Sequence, residues 1–205
     1  MCELDKNCLN KNKLKNAADV LIQAFMDHEV PCYIQPDRNK RYRAIEILFS
    51  GTCKITNSYG HLQTDSEQVN GVFTWFPPGT YPVSFWQMLK TGGLISPFIA
   101  GIKPSLKILK SINFIDKIKI DLLKGRPYWY LAFAGILPEM QGKHIGTNMI
   151  NKMHSHLDKN KEISILEANS EKSVRFWKRS GYRVIAEHEI PGGGVKYWFM
   201  ARNFD

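Results

Sequence analysis

Apolar residues recur at helical spacing in three parts of the chain. In residues 12–28 they are Leu14, Ala17, Ala18, Leu21, Ile22 and Phe25, and this pattern predicts an amphipathic helix. A second helix is predicted from Arg43 to Cys53, where Ile45, Leu48 and Phe49 share one side. A third begins at residue 145, and its apolar face comprises Ile145, Met149, Ile150, Met153 and Leu157.

Strand patterns lie between these helices and after them. Residues 69–76 end at a Pro-Pro-Gly turn, and residues 128–137 form a nearly continuous apolar run of the kind found in strands buried on both faces. Residues 163–168 predict another strand. Residues 182–190 and 195–202 alternate with period two around Pro-Gly-Gly-Gly, which predicts a hairpin. With two or three helices in residues 84–124, the order predicts a mixed α/β fold.

Composition places the chain among globular proteins. It has 205 residues, of which 43% are hydrophobic and 23% charged, and this balance predicts a single domain over residues 1–205 rather than a disordered or fibrous chain. No apolar run approaches the roughly 18 residues of a membrane span, and no secretory leader is visible at the start. The four cysteines form no metal-binding pattern, so we expect free thiols and a cytoplasmic location.

The chain is basic, with a net charge of +9, which is compatible with a nucleic acid, a membrane surface or an anionic small molecule. The lysines between residues 103 and 124 have no interleaved aromatic residues that would stack on bases, so they predict a solvated face. We therefore expect neither a nucleic-acid nor a membrane partner. The two histidines of the third helix, His154 and His156, do not share a face, and no metal site is predicted.

Residues 141–147, between the strand and the third helix, have the features of an anion-binding turn. Gly142 and Gly146 let the backbone approach a ligand, Lys143 adds a cation, and a helix start presents N–H groups without partners. Turns of this kind before a helix are common, so by itself the pattern favours a purely structural turn.

The neighbouring tracts carry a resemblance to a known family. LAFAGILPEMQGKHIGTNMI resembles the coenzyme-A motif of the GNAT N-acetyltransferases, and LEANSEKSVRFWKRSGYRV resembles their second motif, an Asn-capped helix ending in Gly-Phe/Tyr. Residues 75–79 and 127–131, the Leu166-Glu167 pair and the closing PGGG…YWFMAR are similar to the subgroup that contains puromycin N-acetyltransferase. The resemblance is densest in residues 127–202, and it implies the GNAT fold with a mostly antiparallel, splayed sheet.

The resemblance also implies a ligand and its site. Acetyl-CoA is the implied co-substrate, no metal is implied, and a primary amine of a small molecule (or, as a weaker alternative, of a peptide terminus) attacks the thioester directly. The pantetheine arm would pair with the strand before the loop, the pyrophosphate would bind backbone N–H groups of the loop, and the next helix start would contribute polar groups. The implied residues are Ala134, Gly135, Ile136, Gln141, Gly142, Lys143, His144, Ile145, Gly146, Thr147, Asn169, Ser170 and Ser173.

Glu167 is the candidate general base, because it lies on the strand beside the expected cleft and a carboxylate among apolar neighbours tends towards a raised pKa. Its alternative role is to cap a helix or to pair with a cation. Trp177 stands where the family has a Tyr that protonates the departing thiolate, and an indole does not transfer a proton at neutral pH. Water or another hydroxyl, at Tyr182, Tyr128 or Ser173, would then supply the proton.

Two further departures from the family pattern affect the site. His144 occupies the position of the loop's second glycine, where a positive φ would cost about 1–2 kcal/mol. Asn169-Ser170 reverses the usual Ser-Asn order, which leaves open which of the two contacts pantetheine. The departures at Trp177 and His144 favour, as an alternative function, a catalytically weak acyl-CoA-binding or sensor protein. The acceptor pocket is expected from the first helices and from residues 80–126, and the protein is expected to be a monomer or a homodimer.

Overall fold

The computed structural model describes residues 9–91, 101–190 and 194–205. The helices are α1 Lys11–Phe25, α2 Glu29–Ile34, α3 Arg38–Tyr59, α4 Phe85–Thr91, α5 Ile102–Leu123, α6 Ile145–Lys159 and α7 Glu171–Arg179. The strands are β1 His61–Thr64, β2 Gly71–Phe76, β3 Trp129–Ile136, β4 Ser164–Ala168, β5 Arg183–Glu189 and β6 Lys196–Arg202. A short 3-10 turn, Pro138–Met140, connects β3 to the segment before α6.

The helices follow the predicted apolar faces, with one change of length. Helix α1 begins after Asn10, whose side chain accepts a hydrogen bond from the Lys13 N–H, as expected of a helix N-cap. Helix α3 is longer than the predicted Arg43–Cys53: it begins after the N-cap Asp37 and continues to Tyr59, because its inward face is extended by buried Ile55 and Thr56. The pattern of apolar residues predicted neither the Asp37 cap nor this extension of α3.

The strands form one open sheet in the order β1-β2-β3-β4-β6-β5. The β3–β4 pair is parallel, and the other neighbours are antiparallel. The predicted terminal hairpin is present as β5 and β6, with Glu189 opposite Lys196; residues 191–193 of its Pro-Gly-Gly-Gly tip lie outside the described residues. The mixed, mostly antiparallel sheet confirms the predicted fold class.

Helices cover both faces of this sheet. On one face α6 and α7 pack on the central strands through a cluster that includes Met149, Ile150, Trp177 and Leu166. On the other face α1 and α3 pack on β1 and β2, while α5 packs on β3, β4 and β6. The sheet therefore lies between two layers of helices.

The segment from 84 to 124 contains α4 and α5, which agrees with the predicted two or three helices; residues 92–100 lie outside the described part. Its lysines, however, do not all belong to a solvated face. Lys119 is 1% exposed, on the side of α5 that packs against the sheet. The prediction is wrong for this residue, because adjacent lysines in sequence point to different sides of a helix.

Two smaller expectations can be compared with the structure. Cys32 and Cys53 are free thiols, and burial raises the pKa of Cys53 to about 12; Cys2 and Cys8 lie outside the described residues. Across the described ranges, no helix combines the length and apolarity needed to span a bilayer.

Candidate active site

The central feature of the site is a fork in the sheet between β3 and β4. These strands pair only at Trp129–Ser164, Tyr130–Ile165 and Leu131–Leu166. Beyond these pairs, β3 continues along β2 as far as Ile136, and β4 continues along β6 as far as Ala168. The predicted strand 128–137 is therefore buried in its first part and only partly buried in most of the second, rather than buried on both faces throughout.

A β-bulge in β3 lies at the fork. Thr74 pairs with Phe133 while the next residue of β2, Trp75, pairs with Leu131, which leaves Ala132 as the additional residue. The Thr74 hydroxyl fills the gap: it accepts from the Phe133 N–H at 2.8 Å and donates to the Phe133 carbonyl at 3.2 Å. Because a bulge bends its strand and increases the local twist, this one directs β3 away from β4.

The second half of β3 presents backbone groups at the open side of the fork. The Leu137 N–H donates to the Asn70 carbonyl at 2.9 Å, on the β2 side. Backbone groups alternate along a strand, so those of Gly135 also face β2 and those of Ala134 and Ile136 face the fork. Gly135 itself is needed for packing against α1, because a Cβ there would lie 2.9 Å from Leu21 and 3.1 Å from Ala24.

The turn before α6 has the geometry of an anion-binding site. Gly142 has φ +80° and His144 has φ +61°, so His144 occupies the left-handed region for which the family pattern has a glycine. No side chain caps α6, and its first internal hydrogen bond runs from the Asn148 N–H to the His144 carbonyl. Within the described residues, the N–H groups of Ile145, Gly146 and Thr147 therefore have no acceptor and carry the positive end of the helix dipole.

Polar side chains connect this turn to β3 and α7. The Gln141 amide donates to the Ile136 carbonyl at 3.4 Å, and its oxygen accepts from Lys172 Nζ at 3.1 Å. Lys143 is exposed, with Nζ 3.3 Å from the Met140 sulfur. Lys172 was missed in the sequence because it is 31 residues from Gln141, and only the packing of α7 beside the turn brings a second cation there.

At the start of α7, Asn169 and Ser170 have different hydrogen-bond partners. Ser170 is the N-cap, and its hydroxyl accepts from the Ser173 N–H at 3.2 Å. Asn169 precedes the helix, and its amide donates to the Lys196 carbonyl of β6 at 3.4 Å. Both residues follow β4 at the fork, so the predicted pantetheine contacts at Asn169, Ser170 and Ser173 are grouped at one edge.

Glu167 is the first residue of β4 beyond its last pair with β3. Its side chain is 6% exposed and points to the α5 face of the sheet, where Tyr130 Oη donates to Oε2 at 2.8 Å. Lys119 Nζ lies 3.8 Å from Oε1, and Oε1 has no hydrogen-bond partner. Burial raises the pKa of Glu167, whereas the Lys119 charge and the Tyr130 hydrogen bond oppose this rise.

Four residues around Glu167 complete a buried polar cluster that was missed in the sequence: Asp116, Lys119, Tyr81 and Tyr130. Lys119 Nζ is 3.1 Å from Asp116 Oδ1 and lies over the rings of Tyr130 and Tyr81, 3.6 and 4.1 Å from their centroids. Tyr81 Oη donates to Asp116 Oδ1 at 3.1 Å. The only available signal was the Asp116-to-Lys119 spacing of three, one of several acid–lysine spacings in this stretch.

The two other predicted catalytic residues lie on the opposite face. Trp177 is 7% exposed and packs against Phe73, with ring centroids 6.2 Å apart, and against Tyr182 at 5.5 Å. Tyr182 is buried, its hydroxyl is 2.8 Å from Ser164 Oγ, and burial raises its pKa. Ser164 pairs with Trp129, two residues before the last pair between β3 and β4. The proton-donor roles of both residues stay predictions.

No group of three or more His, Cys, Asp and Glu side chains suited to a metal is found in residues 9–91, 101–190 and 194–205. No family model matches the chain. Among solved structures, an acetyltransferase related to HPA2 from Corynebacterium glutamicum has a TM-score of 0.58 at 20% identity, with 95% of this chain and 92% of that chain covered.

Two insect enzymes give similar values. Arylalkylamine N-acetyltransferase 2 from Aedes aegypti has a TM-score of 0.61 at 13% identity, covering 96% of this chain and 97% of that one. A polyamine N-acetyltransferase from Drosophila melanogaster, which forms N-acetylagmatine, has a TM-score of 0.60 at 13% identity, covering 94% and 96%. The six-stranded forked sheet and its two helical layers are therefore the fold of the GNAT acetyltransferases.

Proposed function

We propose that this protein is an acetyl-CoA-dependent N-acetyltransferase that acts on a primary amine of a small molecule. The observation that carries the proposal is the fork itself, because free backbone groups of β3 line it. Unpartnered N–H groups at the start of α6 lie beside it on one face of the sheet, and the buried Glu167 carboxylate lies on the α5 face, at the first residue of β4 beyond its pairs with β3. We further propose that the whole chain is one catalytic domain working in the cytoplasm. The puromycin N-acetyltransferase subgroup is proposed on sequence resemblance alone.

In this proposal the chain holds acetyl-CoA mainly through its backbone. The N–H groups of Ile145, Gly146 and Thr147 bind the pyrophosphate, because unpartnered helix N-termini favour anions. Lys143 and Lys172 add positive charge, consistent with the basic net charge of +9. The backbone groups of Ala134 and the Ile136 N–H pair with the pantetheine arm, and the N–H near Ile136 polarises the thioester oxygen.

Acetyl transfer then requires one new bond and one proton acceptor. The amine nitrogen attacks the thioester carbon, the C–S bond breaks, and the proton lost by nitrogen goes to Glu167 Oε1, the oxygen without a hydrogen bond. The thiolate takes a proton from water or from a hydroxyl, and half-buried Tyr128 is a nearer candidate to the cluster than Tyr182. The pKa of Tyr128 is raised to about 12, first by burial and then by the charges of Asp116 and Glu167.

The proposed function is tested in two steps. Calorimetry with acetyl-CoA is expected to show binding at one site per chain, and release of free CoA is expected with at least one arylalkylamine, polyamine or aminoacyl compound in a panel. Absence of heat and of any thermal shift with acetyl-CoA contradicts the proposal.

The alternative is an acyl-CoA-binding protein with little turnover, and the observation favouring it is Trp177, whose indole cannot act as an acid. Tight binding of acetyl-CoA without CoA release on any amine supports this alternative over the enzyme. Hydrolysis of acetyl-CoA in the absence of amine is the background that must be subtracted in this comparison.

A further inference from the structure

Lys119 is a charged residue in a place that normally excludes charge. It is 1% exposed, whereas Lys117, two positions earlier on α5, is exposed. Burying an ammonium group is costly unless other charges or aromatic faces replace its water. The chain therefore keeps this cation at the fork in spite of the desolvation that it requires.

The surroundings of Lys119 are built for a positive charge. Its Nζ lies 3.1 Å from Asp116 Oδ1 and 3.8 Å from Glu167 Oε1, and it faces the rings of Tyr130 and Tyr81. The π faces of tyrosines attract cations, and more strongly where water is absent. The separation of 3.8 Å from Glu167 exceeds hydrogen-bond distance, so Lys119 acts on that carboxylate through its charge and leaves Oε1 free.

We propose, on the basis of the proposed function, that Lys119 is a positioning residue for acetyl transfer: its ammonium group keeps Glu167 ionised at the fork, with Oε1 available for the proton of the attacking amine. Tyr130 fixes the carboxylate from the other side, through its 2.8 Å hydrogen bond to Oε2. Lys119 itself touches neither the amine nor the thioester.

The charge balance explains why a cation is needed. With both carboxylates ionised and the ammonium group present, Asp116, Glu167 and Lys119 carry one negative charge, and the cluster becomes neutral when Oε1 accepts the proton of the amine. Without Lys119, the buried Glu167 would have the partly exposed Asp116 beside it and no compensating cation, and a neighbouring like charge favours the protonated carboxyl. Glu167 would then be protonated before the reaction and would be unable to take the amine's proton.

Two kinds of titratable group face Glu167. The charged ones are Asp116 and Lys119 from α5. The others are tyrosines that are neutral at the working pH: Tyr128 and Tyr130 from β3, Tyr81 from the β2–α4 connection and Tyr197 from β6. Burial raises the pKa of all four tyrosines above their ordinary value. Asp116 and Lys119 are thus the neighbours whose charges set the protonation of Glu167, and they act in opposite directions.

Two substitutions on α5 test the proposal, because they are expected to shift the pH profile of kcat/KM in opposite directions. Lys119→Met is expected to move the acidic limb of the kcat/KM profile to higher pH by about one unit or more, and Asp116→Asn is expected to move it to lower pH. Lys119→Arg, which keeps the charge, should leave the limb within about half a unit of wild type. Lys117→Met, the exposed control on the same helix, should leave the profile unchanged.

A measurement without turnover separates this inference from the proposed function. With side-chain carboxyls labelled by carbon-13 and the Glu167 signal assigned by Glu167→Gln, NMR titration should give midpoints in the order Asp116→Asn, wild type, Lys119→Met. That order supports the inference even if no amine is acetylated. Equal midpoints, or shifts of the two variants in the same direction, overturn it. If Lys119→Met does not fold, the Asp116→Asn and Lys119→Arg titrations decide.

Discussion

The two sides of the fork present polar groups in contrasting ways. On the α6 side the unpartnered groups are main-chain N–H groups of three consecutive residues, Ile145, Gly146 and Thr147, at the start of a helix. On the α5 side they are the side chains of Glu167, Lys119 and Asp116, which are mostly buried and come from two elements about fifty residues apart. An exposed backbone site needs only local conformation, whereas a buried side-chain site needs the whole tertiary structure to replace the lost water.

The largest expected effect tests the α5 side. Glu167→Gln removes the proposed proton acceptor but keeps the size of the side chain, so kcat on the best amine is expected to fall by about 10²–10⁴-fold. Calorimetric affinity for acetyl-CoA should stay within about twofold, since Glu167 faces away from the α6 turn. Glu46→Gln, an exposed site on α3, is the matched control. A fall in affinity as large as that in kcat would show that the two sides are not separable.

The next effect tests the α6 side. A Cβ at Gly146 would lie 3.4 Å from the Phe176 ring, so alanine fits in ordinary contact and the branched side chain of valine does not. We expect Gly146→Val to weaken acetyl-CoA binding by about tenfold or more, because it crowds the N–H groups that receive the pyrophosphate. Gly146→Ala should bind within about twofold of wild type. Equal affinity of both variants would exclude this turn as the anion site.

Replacing Trp177 tests whether the α6–α7 face contributes chemistry as well as binding. Trp177→Tyr restores the family's hydroxyl, and turnover is expected to rise by roughly the low end of a general-acid effect. The smaller ring should also lower the free energy of unfolding by about 1–2 kcal/mol. Trp129→Tyr, another buried tryptophan, should lose stability without gaining turnover. If Trp177→Tyr also gains none, the tryptophan only packs.

The smallest effect concerns the strained residue of the α6 turn. His144 has φ +61°, and glycine there should increase the free energy of unfolding by about 1 kcal/mol, raising Tm by about 2–4 °C in calorimetry. Affinity for acetyl-CoA should not decrease. Lys161→Gly, at φ +52° after α6, should give a similar gain. A tenfold loss of affinity in His144→Gly alone would make the imidazole a ligand.

The sequence by itself determined the features that depend on short stretches of chain. The apolar face of α6, the strand before it and the glycine turn between them were all predicted, because each depends on spacings within one element or one turn. The strain at His144 was anticipated from the family resemblance, because the family's loop has a glycine at this position.

Tertiary structure alone decided what the α5 side contains. The sequence predicts that Lys119 is a surface lysine like its neighbours. Packing of α5 on the sheet instead places it between Asp116 and Glu167 and over the rings of two tyrosines. The fork at Glu167 depends likewise on an additional residue in β3, which only the register of β2 and β3 reveals. Hydrophobic periodicity predicts which face of a helix or strand is buried. It does not predict which residues from distant parts of the chain pack against that face.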